Sequence, residues 1–98
     1  GNAMADIHQV KTSSSVIVSG KGILKGLIAS VSAASSQATL TLYDNTSASG
    51  TTIFQVELYS ESDPLIIFFP DQYAPRFTTG LYLALDANLI AIIWASER

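Results

Sequence analysis

Residues 38–58, ATLTLYDNTSASGTTIFQVEL, constrain the fold of this chain more than any other stretch. Apolar and polar residues alternate with a period of two on both sides of a polar segment at residues 44–50, which is the side-chain period of a β-strand. Asp44 and Asn45 favour Asx-turns, and Gly50 can adopt a positive φ. The stretch therefore predicts a β-hairpin, with Ala38, Leu40 and Leu42 on one side of its first strand.

Other short segments rich in β-branched and aromatic residues recur at roughly ten-residue spacing, separated by turn signals. They predict strands within residues 16–18, 23–32, 65–69, 77–85 and 89–95. Gly26, inside one of these strands, marks a bulge or a close backbone approach. The sequence thus predicts an all-β protein, an antiparallel β-sandwich or jelly-roll of seven to eight strands.

The 98 residues are enough for one small domain. We interpret residues 1–3 as an expression scar, residues 4–12 as an N-terminal arm or edge strand, and residues 13–98 as a single β-sandwich domain. There is no signal-peptide pattern after Met4, and the apolar region at residues 81–95 is too short to span a bilayer. We therefore expect synthesis in a cytoplasm and no membrane partner.

Charged residues make up only 13% of the chain, against about 25% in a typical soluble domain. Because a monomer normally carries more surface charge, this shortfall predicts a homo-oligomer, and we expect a trimer. The net charge of −3 and the scattered basic residues argue against a nucleic-acid partner.

Two predicted strands, residues 65–69 and 89–95, are apolar on both faces, whereas a sandwich strand usually has one solvated face. One interpretation is that a loop or the N-terminal arm covers the second face. The other is that this face packs against another subunit. The candidate interface residues are Leu65, Ile67, Phe69, Ile90, Ile92 and Trp94.

No residue pattern indicates catalysis, a metal site or a cofactor. His8 is the one histidine and cysteine is absent, so neither a Ser-His-Asp triad nor a zinc site has its usual ligands. Asp44, Asp63, Asp71 and Asp86 lie in predicted turns, where aspartate commonly caps the backbone, and they do not match a calcium-binding loop. We predict a protein that is not an enzyme.

Aromatic residues offer an alternative function. Small β-sandwiches can stack sugars on exposed rings, which suggests a carbohydrate- or receptor-binding module; the other interpretation places these rings in the core or an interface. The candidate platform consists of Tyr43, Tyr59, Tyr73 and Tyr82.

Three motifs carry a family resemblance: GILKGL at residues 22–27, LTLYDNTSASGTTI at residues 40–53, and TGLYL at residues 79–83. Together they resemble small structural proteins encoded in the morphogenesis regions of tailed phages and prophages, over residues 22–94. The resemblance implies a β-sandwich virion component, such as a head-decoration, head-fibre or tail-associated subunit. It also implies self-association, contacts with other virion proteins and no active site.

Overall fold

The structure, a computed structural model, describes residues 6–32, 37–60 and 63–97, except for the side chain of Asp6. The predicted expression scar at residues 1–3 lies outside these ranges. The described residues form nine strands and one short 3-10 helix, Asp71–Tyr73. The strands are β1 (Asp6–Lys11), β2 (Ser15–Ser19), β3 (Gly22–Val31), β4 (Gln37–Asp44), β5 (Thr51–Tyr59), β6 (Leu65–Phe68), β7 (Arg76–Phe77), β8 (Gly80–Leu85) and β9 (Leu89–Glu97).

The predicted hairpin is confirmed as β4 and β5, which pair antiparallel along their length. The Asn45 amide donates to the Ser49 carbonyl at 3.0 Å, and the Asn45 side-chain oxygen accepts from Thr46 N–H at 2.8 Å. Gly50 has a φ of 89°, which a residue with a Cβ rarely adopts. The turn therefore reverses the chain where the sequence predicts it.

Strand pairing is nested about this hairpin, as if the chain were folded in half. β4 pairs with β5, β3 with β6, β2 with β8, and β1 with β9, all antiparallel. These four pairs form one long two-stranded ribbon. Two further pairings, β3 with β9 and β4 with β8, join parts of the ribbon edge to edge into two sheets. The first sheet has the order β1-β9-β3-β6, with β7 also pairing with β3, and the second has the order β2-β8-β4-β5. Two sheets made by rolling up one ribbon are a jelly-roll sandwich, as predicted.

The core lies between the two sheets and takes alternate residues from most strands. Ala38, Leu40 and Leu42 are buried, on the side that the sequence predicts. The largest side chains of this core with no appreciable exposure are Leu24, Leu27, Leu40, Leu42, Phe77, Leu81, Leu83, Leu89 and Ile93. These residues come from both sheets, so the core holds the two layers together.

The ninth strand arises because the predicted strand at residues 77–85 is divided. Its start belongs to β7 in the first sheet, and the rest is β8 in the second sheet. Between them, Thr78 and Thr79 form the corner where the chain crosses from one layer to the other. Residues 77–85 keep the same two-residue alternation of side chains before and after this corner. For that reason the sequence predicts one continuous strand there.

β1 lies at the edge of the first sheet, paired with β9 from Asp6↔Ser96 to Lys11↔Ala91. Residues 6–11 therefore belong to the sandwich itself. Next to it, the β3–β9 register shifts between Leu24 and Gly26, so Lys25 is the extra residue of a β-bulge. This bulge is the feature that Gly26 predicts.

Candidate functional site

The side of the first sheet that faces away from the core is apolar, and we call it the outer face. The name covers His8, Val10, Gly26, Ile28, Ile66, Phe68, Ile90, Ile92 and Trp94. The polar Ser30, opposite Ile90, and the buried pair Ile23 and Ser96 lie on the same side at its two ends. At its centre, one β-branched residue from each of four strands lies in a row, Val10↔Ile92↔Ile28↔Ile66. Residues directly opposite on antiparallel strands have Cβ atoms about 4.5–5.5 Å apart. The row is therefore a continuous apolar ridge across the sheet.

A second row on the outer face is aromatic. It runs His8↔Trp94↔Gly26↔Phe68. The His8 and Trp94 rings stack with centroids 4.7 Å apart and planes 5° apart, and the Phe68 ring lies 5.2 Å from Trp94 at 55°. Gly26 has no side chain, so Phe68 lies over its backbone, where a Cβ would collide with the ring. The three rings form one aromatic cluster because Gly26 leaves room for it.

Much of the outer face is open to solvent. Val10 is 61% exposed, Ile66 62%, Phe68 56% and Ile90 39%. On the opposite side of β9, Ile93 is fully buried in the core. Single exposed apolar residues are common, but a contiguous exposed apolar surface is typical of an interaction site. The outer face is therefore the candidate functional site.

The predicted interface residues divide between the two sides of the first sheet. Ile90, Ile92 and Trp94 lie on the outer face, which is one of the two arrangements that the sequence allows for their strand. Leu65, Ile67 and Phe69 do not lie on the outer face. Leu65 and Phe69 pack against the core, and Ile67 is paired with the buried Leu27 on that same side.

The outward residues of β6 are instead Ile66 and Phe68. Sequence reasoning missed them because every residue of β6 is apolar, so alternation gives no sign of which side is which. It also missed Val10, Ile28 and the stacking of His8. Only the register of β6 against β3 and of β1 against β9 identifies these residues.

The outer side of the second sheet has a different chemistry. Its residues there include Thr39, Thr41, Gln55 and Glu57, and the Gln55 amide donates to the Thr41 hydroxyl at 3.0 Å. A polar outer side of this kind is usual for a sandwich. The same side also carries Val16, Tyr43, Tyr82 and Ala84. It is therefore mixed, whereas the outer face of the first sheet is mainly aliphatic and aromatic.

The four tyrosines of the alternative platform do not converge. Tyr43 and Tyr82 lie directly opposite each other on β4 and β8. Tyr59, paired with Gln37, is six residues along β4 from Tyr43, which corresponds to about 20 Å. Tyr73 lies in the 3-10 helix between β6 and β7. A sugar-stacking surface made of all four is therefore not present in this fold.

A shallow concavity of about 260 Å³ lies at one end of the outer face. Four aromatic side chains and one cation contribute to it, and its lining residues are Ile7, His8, Lys25, Phe68, Phe69, Trp94 and Ala95. It shares His8, Phe68 and Trp94 with the aromatic row. The concavity is therefore an extension of the outer face.

Asp44, one of the turn aspartates, has a structural role at the corner between β7 and β8. Its carboxylate accepts hydrogen bonds from the backbone N–H groups of Thr78, Thr79 and Gly80 and from the Thr78 hydroxyl, at 2.9–3.4 Å. Desolvation by burial raises the pKa of Asp44, but the hydrogen bonds from Thr79, Thr78 and Gly80 outweigh it and lower the pKa below the ordinary 3.8. The carboxylate thus connects the turn of the β4–β5 hairpin to the corner at Thr78 and Thr79, where the chain crosses between the sheets.

Replacing Asp44 with asparagine is expected to lower the free energy of unfolding at pH 7 by about 1 kcal/mol, since hydrogen bonds to a charged, partly exposed acceptor are lost. Because the folded-state pKa is lowered, this stabilisation is complete above the ordinary pKa and is lost as pH falls through the lowered value. Denaturant unfolding from pH 7 to pH 2 measures both effects. Asp86→Asn is the control, because Asp86 accepts one backbone hydrogen bond, from Thr39. Equal losses in the two variants would contradict the assigned role.

Within residues 6–32, 37–60 and 63–97, no three His, Cys, Asp or Glu side chains are grouped so that they could hold a metal ion. The same residues include no helix of the length and apolarity needed to cross a bilayer. Comparison with protein-family models, curated proteins and solved structures gave no significant match to this chain. Among the described residues, the outer face is therefore the surface that most favours a contact with a partner.

Proposed function

We propose that this chain is a non-enzymatic structural subunit of a phage or prophage virion that self-associates through the outer face of its first sheet. The observation that carries the proposal is the exposed row Val10, Ile92, Ile28 and Ile66 with the aromatic row beside it. The resemblance of residues 22–94 to virion structural proteins supports the virion setting, which covers head-decoration, head-fibre and tail-associated subunits made in the bacterial cytoplasm. Jelly-rolls also occur in lectins, so the fold is compatible with the proposal but does not decide it.

A second copy of the same chain is the partner that the outer face fits best. Two charged residues are described on this side of the sheet: Lys25 in the β-bulge, and Arg76, which is paired with Ile23 on β7. Both lie beyond the two rows, at one end of the sheet, so the rows of two copies can meet with these cations at the edge of the contact. The low charge content of 13% agrees with a surface that is partly buried in an assembly.

The size of the outer face sets the expected affinity. Four strands spaced about 4.8 Å apart, each with about 20 Å of outward side chains, give roughly 400 Å² per copy. Two facing copies bury roughly 800 Å² in total, which is below the roughly 1,200–2,000 Å² of a stable specific interface and corresponds to a weak contact. In a cyclic trimer each copy contacts two neighbours through two different patches, and the outer face supplies one of them. We therefore expect association to depend on concentration, and we propose a closed oligomer of three copies.

Val10→Lys is expected to weaken association about tenfold or more, because a lysine charge would have to be desolvated in the interface. The matched control is Val16→Lys. Val16 is 38% exposed and lies opposite Tyr82 on β2, the corresponding edge strand of the second sheet. Sedimentation velocity between 10 µM and 1 mM measures association, and circular dichroism checks that both variants fold.

A wild-type chain that stays monomeric throughout this concentration range would disprove self-association. Equal weakening by Val10→Lys and Val16→Lys would show that the outer face is not the contact surface. The virion setting is tested separately, by immunogold labelling of particles released when a host that encodes this chain is induced. Unlabelled particles would contradict that part of the proposal.

A further inference from the structure

The second sheet ends differently on its two sides. Its edge strands are β2 and β5. On β2, the core residues Ile17 and Val18 are buried, whereas Phe54 and Val56 of β5 pack against the core but are only half-buried. The apolar core is therefore partly open along β5, where a further strand would cover it.

Three of the four edge strands have features that discourage further pairing. An edge strand carries backbone N–H and C=O groups without a strand partner, and proteins protect such edges with short strands, prolines, lysines or bulges. β6 has only four residues and lies between Pro64 and Pro70. β2 has five residues and a bulge between Val16 and Val18. β1 ends in Lys11.

β5 is the longest edge strand and is less protected. It has nine residues, TTIFQVELY, with neither proline nor lysine. Its pairing with β4 shifts between Leu42 and Tyr43, so Ile53 is an extra residue close to the turn, and the pairing is regular over residues 54–59. None of the nine strands that the structure describes pairs with its other edge. β5 is therefore the edge of this fold that can most readily accept another strand.

The sequence of β5 fits a second copy of itself. An antiparallel pair must keep the core residues of both strands on one face, because a shift of one residue turns every side chain to the other face. A two-fold axis at Val56 satisfies this condition and places Phe54 opposite Leu58. It also places Gln55 opposite Glu57, twice. An axis at Glu57 would instead oppose two like charges, which is unfavourable.

The polar pair in this register has hydrogen-bonding capacity to spare. The Gln55 amide donates to the Thr41 hydroxyl, and the Glu57 carboxylate accepts from the Gln37 amide. A side-chain amide has two N–H donors, and a carboxylate has about four acceptor sites. Each Gln55 can therefore donate to the Glu57 opposite while keeping the bond to Thr41.

We propose that two copies of this chain join edge to edge through β5, antiparallel about Val56, so that their four-stranded sheets form one continuous sheet. Backbone hydrogen bonds supply the affinity, as in other cases of strand addition. The half-buried Phe54 and Val56 of each copy are covered by the other copy. Since β5 belongs to the second sheet, this contact is separate from the outer face and does not depend on the association proposed for that face.

A single cysteine tests the position of the axis, because the chain contains no cysteine. Residues directly opposite on antiparallel strands have Cα atoms about 4.5–5.5 Å apart, which is within the range of a disulfide. Val56→Cys therefore brings two thiols together at the axis. Val16→Cys is the matched control, because Val16 is a 38% exposed valine on β2, the other edge strand of the same sheet. Oxidised glutathione and non-reducing electrophoresis measure the rate of dimer formation, and circular dichroism checks folding.

We expect the Val56→Cys variant to form disulfide-linked dimers about tenfold or more faster than the Val16→Cys variant, since pairing raises the local thiol concentration. Adding Gln55→Glu should slow this linking about tenfold, because it opposes two pairs of like charges. Adding Glu57→Gln as well should restore the rate, because each pair again joins a glutamate to a glutamine. A purely structural role of Gln55 would not produce that recovery.

Equal linking rates for the Val56→Cys and Val16→Cys variants would overturn the edge contact, and so would a failure of Gln55→Glu to slow the linking. Amide hydrogen exchange of the wild type gives a readout without substitution: residues 54–59 should exchange more slowly as protein concentration rises, and unchanged exchange would also overturn the contact. Val10→Lys should leave both readouts unaltered, because Val10 lies in the first sheet. Failure of the outer-face association alone is therefore distinguishable from failure of the edge contact.

Discussion

Replacing Ile93 with alanine is expected to lower the free energy of unfolding by about 3–4 kcal/mol, whereas the same change at its neighbour Ile92 should cost about 1 kcal/mol. Ile93 is fully buried in the core, so truncation leaves a cavity there. Ile92 is on the outer face and only half-buried. Small domains have a free energy of unfolding of about 5–15 kcal/mol, so the first loss is a large fraction of the total.

Chemical denaturation at low protein concentration measures both values in the monomer. The two variants are matched controls for each other, because they share residue type, strand and size of deletion. In an association assay we expect the opposite order of effects. Ile92→Ala should weaken the proposed contact more than Ile93→Ala, which should weaken it only as far as it unfolds the chain. A larger loss of monomer stability for Ile92→Ala would mean that Ile92, and not Ile93, faces the core.

Replacing Gly22 with alanine is expected to lower the free energy of unfolding by about 2–3 kcal/mol through overpacking. Gly22 begins β3 between β7 and β9, paired with Phe77 and Glu97. A Cβ there would collide with the Ser96 carbonyl and would lie 2.7 Å from the Phe77 ring. Phe77 is itself 1% exposed, so neither neighbour can move without disturbing the sheet or the core.

Gly20→Ala separates this steric effect from the effect of backbone conformation. Gly20 has a φ of 102°, and a methyl group added to it would meet no heavy atom of the described chain within 4 Å. Alanine there therefore costs about 1 kcal/mol of backbone strain alone. Thermal and denaturant unfolding of both variants measures the difference. If Gly22→Ala were the milder of the two, the close packing of β3, β7 and β9 at this point would be wrong.

The sequence predicts the elements of this fold well because most of them depend on local signals. The hairpin at residues 38–58 has alternation, turn residues and a glycine at the required position, and each of these acts within a few residues. The core side of β4 follows directly from that alternation. Gly26 likewise predicts a β-bulge or a close approach, because glycine within a strand usually marks one of these, and the structure has both at this residue.

The candidate site depends on information that is not local. In β6, LIIF, both sides are apolar, so only its pairing with β3 shows that Ile66 and Phe68 face outward. The same holds for Val10 and His8, which join the outer face through the register of β1 against β9. The division of residues 77–85 depends on Asp44, which lies more than thirty residues earlier in the chain. No pattern within one segment contains these long-range relations.

The nested pairing of strands about the hairpin has a consequence for folding kinetics. The contacts become steadily less local, from β4–β5 across a short turn to β1–β9, which joins the two ends of the described chain. Since closing a longer loop costs more entropy and slows folding, we expect the hairpin to form early and β1–β9 to form last. The outer face takes residues from β1, β3, β6 and β9. It is therefore complete only when the last strands have paired, so a nascent or partly folded chain does not yet present the surface through which we propose that copies associate.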